Sequence, residues 1–315
     1  MRATLRANAS VRSLPPMRVF YTDHHVVELP DGHRFPMHKY ARLRRELVER
    51  RVLLESELES APAAPPEALL AVHDESYVRG FLAGELDRKV MQRIGFPWSP
   101  SLVARTLASA GGTLAASHAA LEAGFAGVLA GGTHHAYRAE GSGFCVFNDL
   151  AIAAVDLLAR GAAQRVLIVD LDVHQGDGTA SIFADESRVF TFSMHGERNF
   201  PLRKQVSDLD VPLPDGTGDA QFLELLDEHL QAALERSRPQ FVLYQGGVDP
   251  LAQDKLGRLA LTHAGLAERD QRVFRFARER GLPLVATLGG GYADPIDPTI
   301  EAHLNTYRAA RTVFG

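Results

Sequence analysis

Six short runs of this chain are apolar almost from end to end, and helical periodicity fills the stretches between them. They are 17–22 (MRVFYT), 125–130 (FAGVLA), 165–172 (RVLIVDLD), 188–194 (RVFTFSM), 240–245 (QFVLYQ) and 283–288 (PLVATL). A strand with one wet face alternates apolar and polar residues. A strand apolar throughout suits a parallel sheet covered on both faces. Helix punctuation agrees. Ser99 and Pro100 predict the N-cap and first residue of a helix near 101–122. Asn148 caps one that runs to Arg160 and ends at Gly161. Others open at Asp219, stopping before Pro239, at Thr262, ending at Gly281, and at Asp297–Pro298. This order predicts an α/β protein with a single open, mostly parallel sheet and helices on both faces. The Ala/Pro-rich stretch 60–66 reads as a loop inside one domain over 17–315.

The polar residues cluster after the strands. Successive strands run into Asp23-His24-His25, Gly131-Gly132-Thr133-His134-His135, Asp170-Leu171-Asp172-Val173-His174, Ser193 and His195, Gly246-Gly247-Val248-Asp249, and Gly289-Gly290-Gly291-Tyr292. In a parallel sheet these ends share one edge, where open α/β sheets bind ligands. Asp170, Asp172 and His174 sit at period 2, so an extended chain points them the same way. Asp and neutral His are ligands for Zn²⁺ or a similar ion, Fe²⁺ included, and Asp249 can supply a third. Asp-His-Asp leaves a position open for water, which is a catalytic rather than a structural stoichiometry. The competing reading makes Asp170 and Asp172 caps of the next loop. It leaves carboxylates unpaired at the end of the apolar run VLIV.

His134 and His135 can take a proton from water and protonate a leaving group, each tuned by a carboxylate, with Asp170 and Asp177 as candidates. Two buried structural histidines are the alternative. His24–His25 reads as structural hydrogen bonding. Tyr292, after three glycines, can project its phenol into the crevice and donate to an oxyanion, unless it is a packed corner residue. Phe144 and Phe200 can wall a narrow apolar channel, with Gly143 beside them, or belong to the core. Cys145 reads as a buried small residue, since no base is placed for it.

Composition narrows the class. With 34 Lys+Arg against 39 Asp+Glu, the formal charge of −5 argues against a duplex nucleic-acid partner. One cysteine excludes an internal disulfide framework and a Cys-based zinc finger. No apolar run approaches the ~18 residues of a membrane helix, so no membrane partner is expected and the cytoplasm is the default location. Residues 1–16 carry Arg2, Arg6 and Arg12 and no acid, and read as a disordered leader.

Five motifs, GGTHHAYRAEGSGFCVFND (131–149), DLDVHQGDG (170–178), SMH (193–195), QGGVDPLAQDKLG (245–257) and GGGY (289–292), together resemble the metal-dependent histone deacetylase family. The resemblance runs from about Met17 to the last helix and implies the arginase/deacetylase fold. It implies metal ligands Asp172, His174 and Asp249, and His134 and His135 paired with Asp170 and Asp177. It gives Tyr292 the role of polarising the amide carbonyl. It also implies a structural potassium ion near Asp170, Asp172, His174, Ser193 and Met194. Gly132-Thr133 stands where many members carry Pro-Gly. With HRFPMHKY (33–40) and GFPWSP (95–100), this looks more like the class IV-like branch and its bacterial relatives. Arg34 is offered for the arginine of the internal acetate channel. No counterpart of the rim Asp of class I and II enzymes stands out.

The resemblance implies a zinc-dependent amidohydrolase acting on N-acetyl-lysine of a protein or peptide. Acetylpolyamines, another small acylated amine and long-chain acyl-lysine are the competing substrates. A ureohydrolase needs a second metal cluster that these motifs do not assemble. An acyl-lysine binding module is the non-enzyme reading.

Overall fold

The computed structural model of the chain describes residues 17–315; the leader expected over residues 1–16 lies outside the described residues. The first half holds β1 (Arg18–Tyr21), α1 (Lys39–Glu49), β2 (Leu58–Ser60), α2 (Pro66–Leu70), α3 (Glu75–Ala83), α4 (Arg88–Ile94), α5 (Pro100–Ala123), β3 (Phe125–Val128) and α6 (Asp149–Ala159). The second half holds β4 (Val166–Asp170), α7 (Asp177–Phe183), β5 (Val189–Gly196), β6 (Leu209–Leu213), α8 (Asp219–Ser237), β7 (Phe241–Gln245), α9 (His263–Glu279), β8 (Leu284–Thr287) and α10 (Asp297–Phe314).

The strands form one sheet in the order β2-β1-β3-β8-β7-β4-β5-β6, and every neighbouring pair is parallel. β3 shows how the faces are covered. A Cβ on Gly127 would meet the Tyr307 ring of α10 at 2.8 Å, while Val128 packs against Gly112 of α5. Adjacent strand residues point to opposite faces, so α5 and α10 lie on opposite sides. Phe125 shares the α10 face, stacked on Phe314 with ring centroids 4.8 Å apart. The four central strands β3, β8, β7 and β4 are buried throughout, as their apolar runs predict.

The caps form largely where expected. Ser99 accepts from the Leu102 N–H at 3.1 Å, Asn148 from Ala151 at 3.0 Å, and Thr262 from Gly265 at 3.0 Å. Asp219 differs: Gly218 is the N-cap of α8, and the Asp219 carboxylate accepts from the Thr262 N–H (2.8 Å) and hydroxyl (2.7 Å). It thereby ties the starts of α8 and α9 together.

One expectation about the site is corrected. β4 stops at Asp170, so the spacing of Asp170, Asp172 and His174 is carried by a turn and not by an extended strand. Asp170 Oδ1 accepts from the Asp172 N–H (3.2 Å), and Asp172 Oδ1 accepts from the His174 N–H (3.0 Å). Such carboxylate-to-backbone bonds curl the chain into a turn. Among the described residues, no helix is long and apolar enough to cross a membrane.

Candidate active site

The crevice opens where β3, β8, β7 and β4 end side by side. On the turn after β4, Asp172 Oδ1 stands 2.9 Å from His174 Nδ1. After β7, the double-glycine turn brings Asp249 Oδ2 to 3.2 Å from the same nitrogen. One ligand atom from each of Asp172, His174 and Asp249 lies within 4.8 Å of the other two, and all three residues are buried. Asp249 Oδ1 accepts from the Val173 N–H at 2.9 Å, but Oδ2 is buried without a hydrogen-bond partner. Glycines permit this crowding. A Cβ on Gly247 would fall 2.1 Å from Asp172 Oδ2, and one on Gly290 would fall 1.9 Å from Asp249 Oδ2. Buried carboxylates converging with an orphan oxygen are costly unless a cation holds them. Burial opposes charge on His174, yet the carboxylates of Asp172 and Asp249 outweigh it and lift the imidazole to about 10. The cluster collects positive charge, and two oxygens with one nitrogen suit a divalent ion that keeps open positions.

Asp149 gathers the chain after β3. It accepts from the N–H groups of Gly132 (3.0 Å) and Thr133 (2.7 Å) and from the hydroxyls of Thr113 and Thr133 (2.6 Å each). The histidines that follow are each paired. His134 Nδ1 lies 2.6 Å from Asp170 Oδ2, and His135 Nδ1 lies 2.6 Å from Asp177 Oδ1. Asp177 Oδ2 accepts from the Tyr137 hydroxyl at 2.8 Å. Each pairing assigns Nδ1 as donor and leaves Nε2 for other work. The rings are 4.1 Å apart, yet their surroundings shift them in opposite directions. Burial lowers His134, but Asp170 and Asp172 more than compensate and raise it to about 9. Burial and the charge of His134 lower His135 to about 4.

Tyr292 follows Gly291, whose φ of 146° suits glycine alone. Asp254 fixes the turn: Oδ2 accepts from the Tyr292 N–H at 2.6 Å, and Oδ1 from Leu256 (2.8 Å) and Gly257 (3.0 Å). Burial pushes the Tyr292 phenol well above its ordinary range, so it stays a proton donor. A cavity of about 50 Å³ is walled by His134, His135, Asp172, His174, Tyr292 and Phe144, among others. Gly143 also lines it, at φ 53°, and a Cβ there would lie 2.7 Å from the His135 ring. A wider cleft of about 500 Å³ lies over it and shares His135, Gly143, Phe144, His174 and Tyr292. Phe200, 43% exposed, stands edge-on to His135 at 4.9 Å.

Other expected residues, Cys145 excepted, lie apart from this cavity. His24 and His25 pack on each other beyond β1, and His24 reaches Ser60 at 3.3 Å. Ser193 pairs in register with Asp170 and hydrogen-bonds His195, while Met194 is buried. Cys145 is buried against the cavity, and burial raises its thiol. Arg34 is exposed at the mouth instead of lining an internal channel. Buried Lys39 reaches inward, donating to the carbonyls of Gly289 (3.4 Å) and Gly291 (3.3 Å).

A family model described as "Histone deacetylase domain" matches residues 33–306. The chain belongs to the histone deacetylase family. It is 47% identical over 297 residues to an uncharacterized protein of Picosynechococcus, covering 94% of this chain and 99% of that one. It is 32% identical over 269 residues to Histone deacetylase 2 of Arabidopsis thaliana, covering 82% of this chain and 70% of that one. A probable deacetylase of Archaeoglobus fulgidus is 36% identical over 244 residues, covering 72% and 67%. Membership supports deacetylase activity.

Several residues that build this family member's site escape a sequence reading. Gln245 fills the space between two glycine turns: its Nε2 donates to the Gly132 carbonyl at 2.8 Å, and a Cβ on Gly132 would fall 2.0 Å from its Oε1. Arg269, fully buried on α9, donates to the carbonyls of Leu171 (3.2 Å), Gly246 (3.3 Å) and Gly247 (2.6 Å). It clamps the turns that carry Asp172 and Asp249. Asp254 and Lys39 do the same for Tyr292. The one signal available for Asp254 is its place five residues after Asp249 in the deacetylase-like motif 245–257.

Proposed function

We propose that this chain hydrolyses the side-chain amide of acyl-lysine, most simply N-acetyl-lysine, in a protein or peptide. One observation carries the reading: two carboxylate-paired imidazoles, a phenol, Asp172 and His174 line a single cavity, and Asp249 converges on those two residues. Asp172, His174 and Asp249 would hold a divalent ion, zinc first and Fe²⁺ second. Such an ion supplies Lewis-acid polarisation of the carbonyl and acidification of a water.

The protein groups divide the remaining work. Neutral His135, oriented by Asp177, takes the proton of the attacking water on Nε2. Charged His134, held by Asp170, steadies the negative charge that develops beside it. Tyr292 donates its O–H to the carbonyl oxygen as it becomes an oxyanion. His135 then delivers its proton to the lysine nitrogen as the C–N bond breaks, releasing amine and carboxylate. Gly143, Phe144 and Phe200 shape the passage for the lysine stem. The potassium ion implied by the resemblance would rest on oxygens around Asp170, Asp172, His174, Ser193 and Met194. The register that sets Asp170 beside Ser193 supports that placement. The acetylpolyamine reading is disfavoured, because the cleft lining contains four arginines and no carboxylate.

The test is acyl release by zinc-loaded protein and its Tyr292→Phe variant. The variant is expected to keep its bound ion and lose about 10²–10³ in turnover. Unchanged turnover removes Tyr292 from the mechanism. Zinc-loaded protein that binds acyl-lysine peptides saturably, without cleaving any, replaces the enzyme with a binding module.

A further inference from the structure

We propose that the mouth of the channel selects acyl-lysine in acidic sequence, with Asp or Glu flanking the modified residue. The proposal rests on the acyl-lysine reading and narrows it.

The whole chain is net negative at −5, yet the cleft over the cavity is lined by Arg34, Arg93, Arg198 and Arg258, without an Asp or Glu. All four arginines are exposed. Their compensation is incomplete. Arg93 pairs with Glu140. Arg198 and Arg258 share one carboxylate, that of Asp215, at 3.9 and 3.3 Å. Arg34 has no ion-pair partner among the described residues. It also lines a neighbouring cleft of about 410 Å³ that shares Leu256 and Tyr292 with the first. In that second cleft Lys255 and Asp294 pair with each other. The spare guanidinium therefore stands where the two clefts meet, beside the tyrosine at the channel. The loop after β5 carries Arg198, Arg203 and Lys204 against Glu197 and Asp208, and Lys204 donates to the carbonyls of Asn199 (2.6 Å) and Pro201 (2.7 Å).

An unpaired surface arginine by itself says little, because water solvates it well. Here four arginines and no carboxylate line one cleft of a net-acidic chain, and a local field of that kind steers ligands of opposite sign. Guanidinium forks match carboxylates in shape as well as charge. An acylated lysine has lost its own charge, so its neighbours must carry the electrostatic recognition. A Lys/Arg-rich segment would meet like charge at the rim. The same loop exposes Leu202 (90%) and Val206 (83%), which makes an anionic bilayer the competing occupant.

Three acetyl-lysine peptides of one length, flanked by Glu, Gln or Lys, separate these cases. Two quantities are read: kcat/KM with zinc-loaded enzyme, and binding of uncleavable amide isosteres by fluorescence anisotropy. The Glu peptide is expected to exceed the Gln peptide by roughly five- to twentyfold at low salt, with the Lys peptide lowest. The contrast should shrink as salt rises, and it should fall toward unity in the double variant Arg34→Gln/Arg258→Gln. Equal values for the three peptides overturn the proposal. So does arginine-dependent binding to phosphatidylserine vesicles without peptide discrimination. Arginine-dependent binding of the Glu isostere without turnover keeps the acidic selection and discards hydrolysis. Equal turnover of all three does the reverse.

Discussion

Gly247 and Gly290 have no side chain, and the carboxylates of Asp172 and Asp249 occupy the space one would need. Gly247→Ala is therefore expected to cost more than a loop substitution usually does. The new methyl would displace Asp172 and weaken divalent-ion affinity by at least about tenfold, in line with losses at groups that orient ligands. Titration calorimetry with Zn²⁺ on folded variant checks this; unaltered affinity would show that the donors can shift without loss. The donors themselves are legible from sequence, because a carboxylate or imidazole just past an apolar strand has few other reasons to be there. The differing charges of His134 and His135 are not. They arise from burial and from which carboxylates face each ring, and neighbouring positions in a sequence carry neither fact. Lys39 is illegible for the same reason: its partners are carbonyls some 250 residues away.

At the scale of elements, legibility follows burial. β3, β4, β7 and β8 are covered on both faces and announce themselves as apolar runs. The edge strands β2 and β6 pass unnoticed. β2 has three residues, none buried, and β6 alternates and includes Pro212, which only an edge tolerates. Short helices such as α2 and α7 are likewise set by tertiary packing, not by their own periodicity. The join between elements is where Arg269 matters. Its guanidinium pairs with Asp270 at 2.7 Å and reaches the turns after β4 and β7. Arg269→Ala leaves Asp270 and three carbonyls short of a buried donor, and is expected to destabilise the fold by about 3–5 kcal/mol. Urea unfolding measures it; a loss below about 1 kcal/mol would mean that water takes over the clamp.

For the whole molecule, buried histidines set the response to acid. His73, His135 and His195 are each lowered from 6.5 to about 4, mainly by burial. Unfolded, they take up protons from about pH 6.5 downward; folded, they do not. Stability therefore falls as pH drops from 6.5 toward 4, by up to about 3 kcal/mol for a single fully buried ring. His134, raised to about 9, acts on the other limb: its contribution is complete below pH 6.5 and is lost as pH rises through 9. The midpoint of urea unfolding should drop clearly between pH 7 and pH 5. A flat profile over that interval would contradict the neutral state of these rings.

The strand order has one more consequence. β4 and β7 are hydrogen-bonded neighbours, with Val166 opposite Phe241, although α7, β5, β6 and α8 separate them along the chain. Asp172 and His174 lie on the turn after one of these strands and Asp249 on the turn after the other. A chain still emerging from the ribosome can offer a passing ion two of the three donors until residue 249 has been synthesised and β7 has zipped into place. In the proposed reading, capture of the ion would certify a finished sheet, and an unfinished chain would be a poor scavenger of zinc.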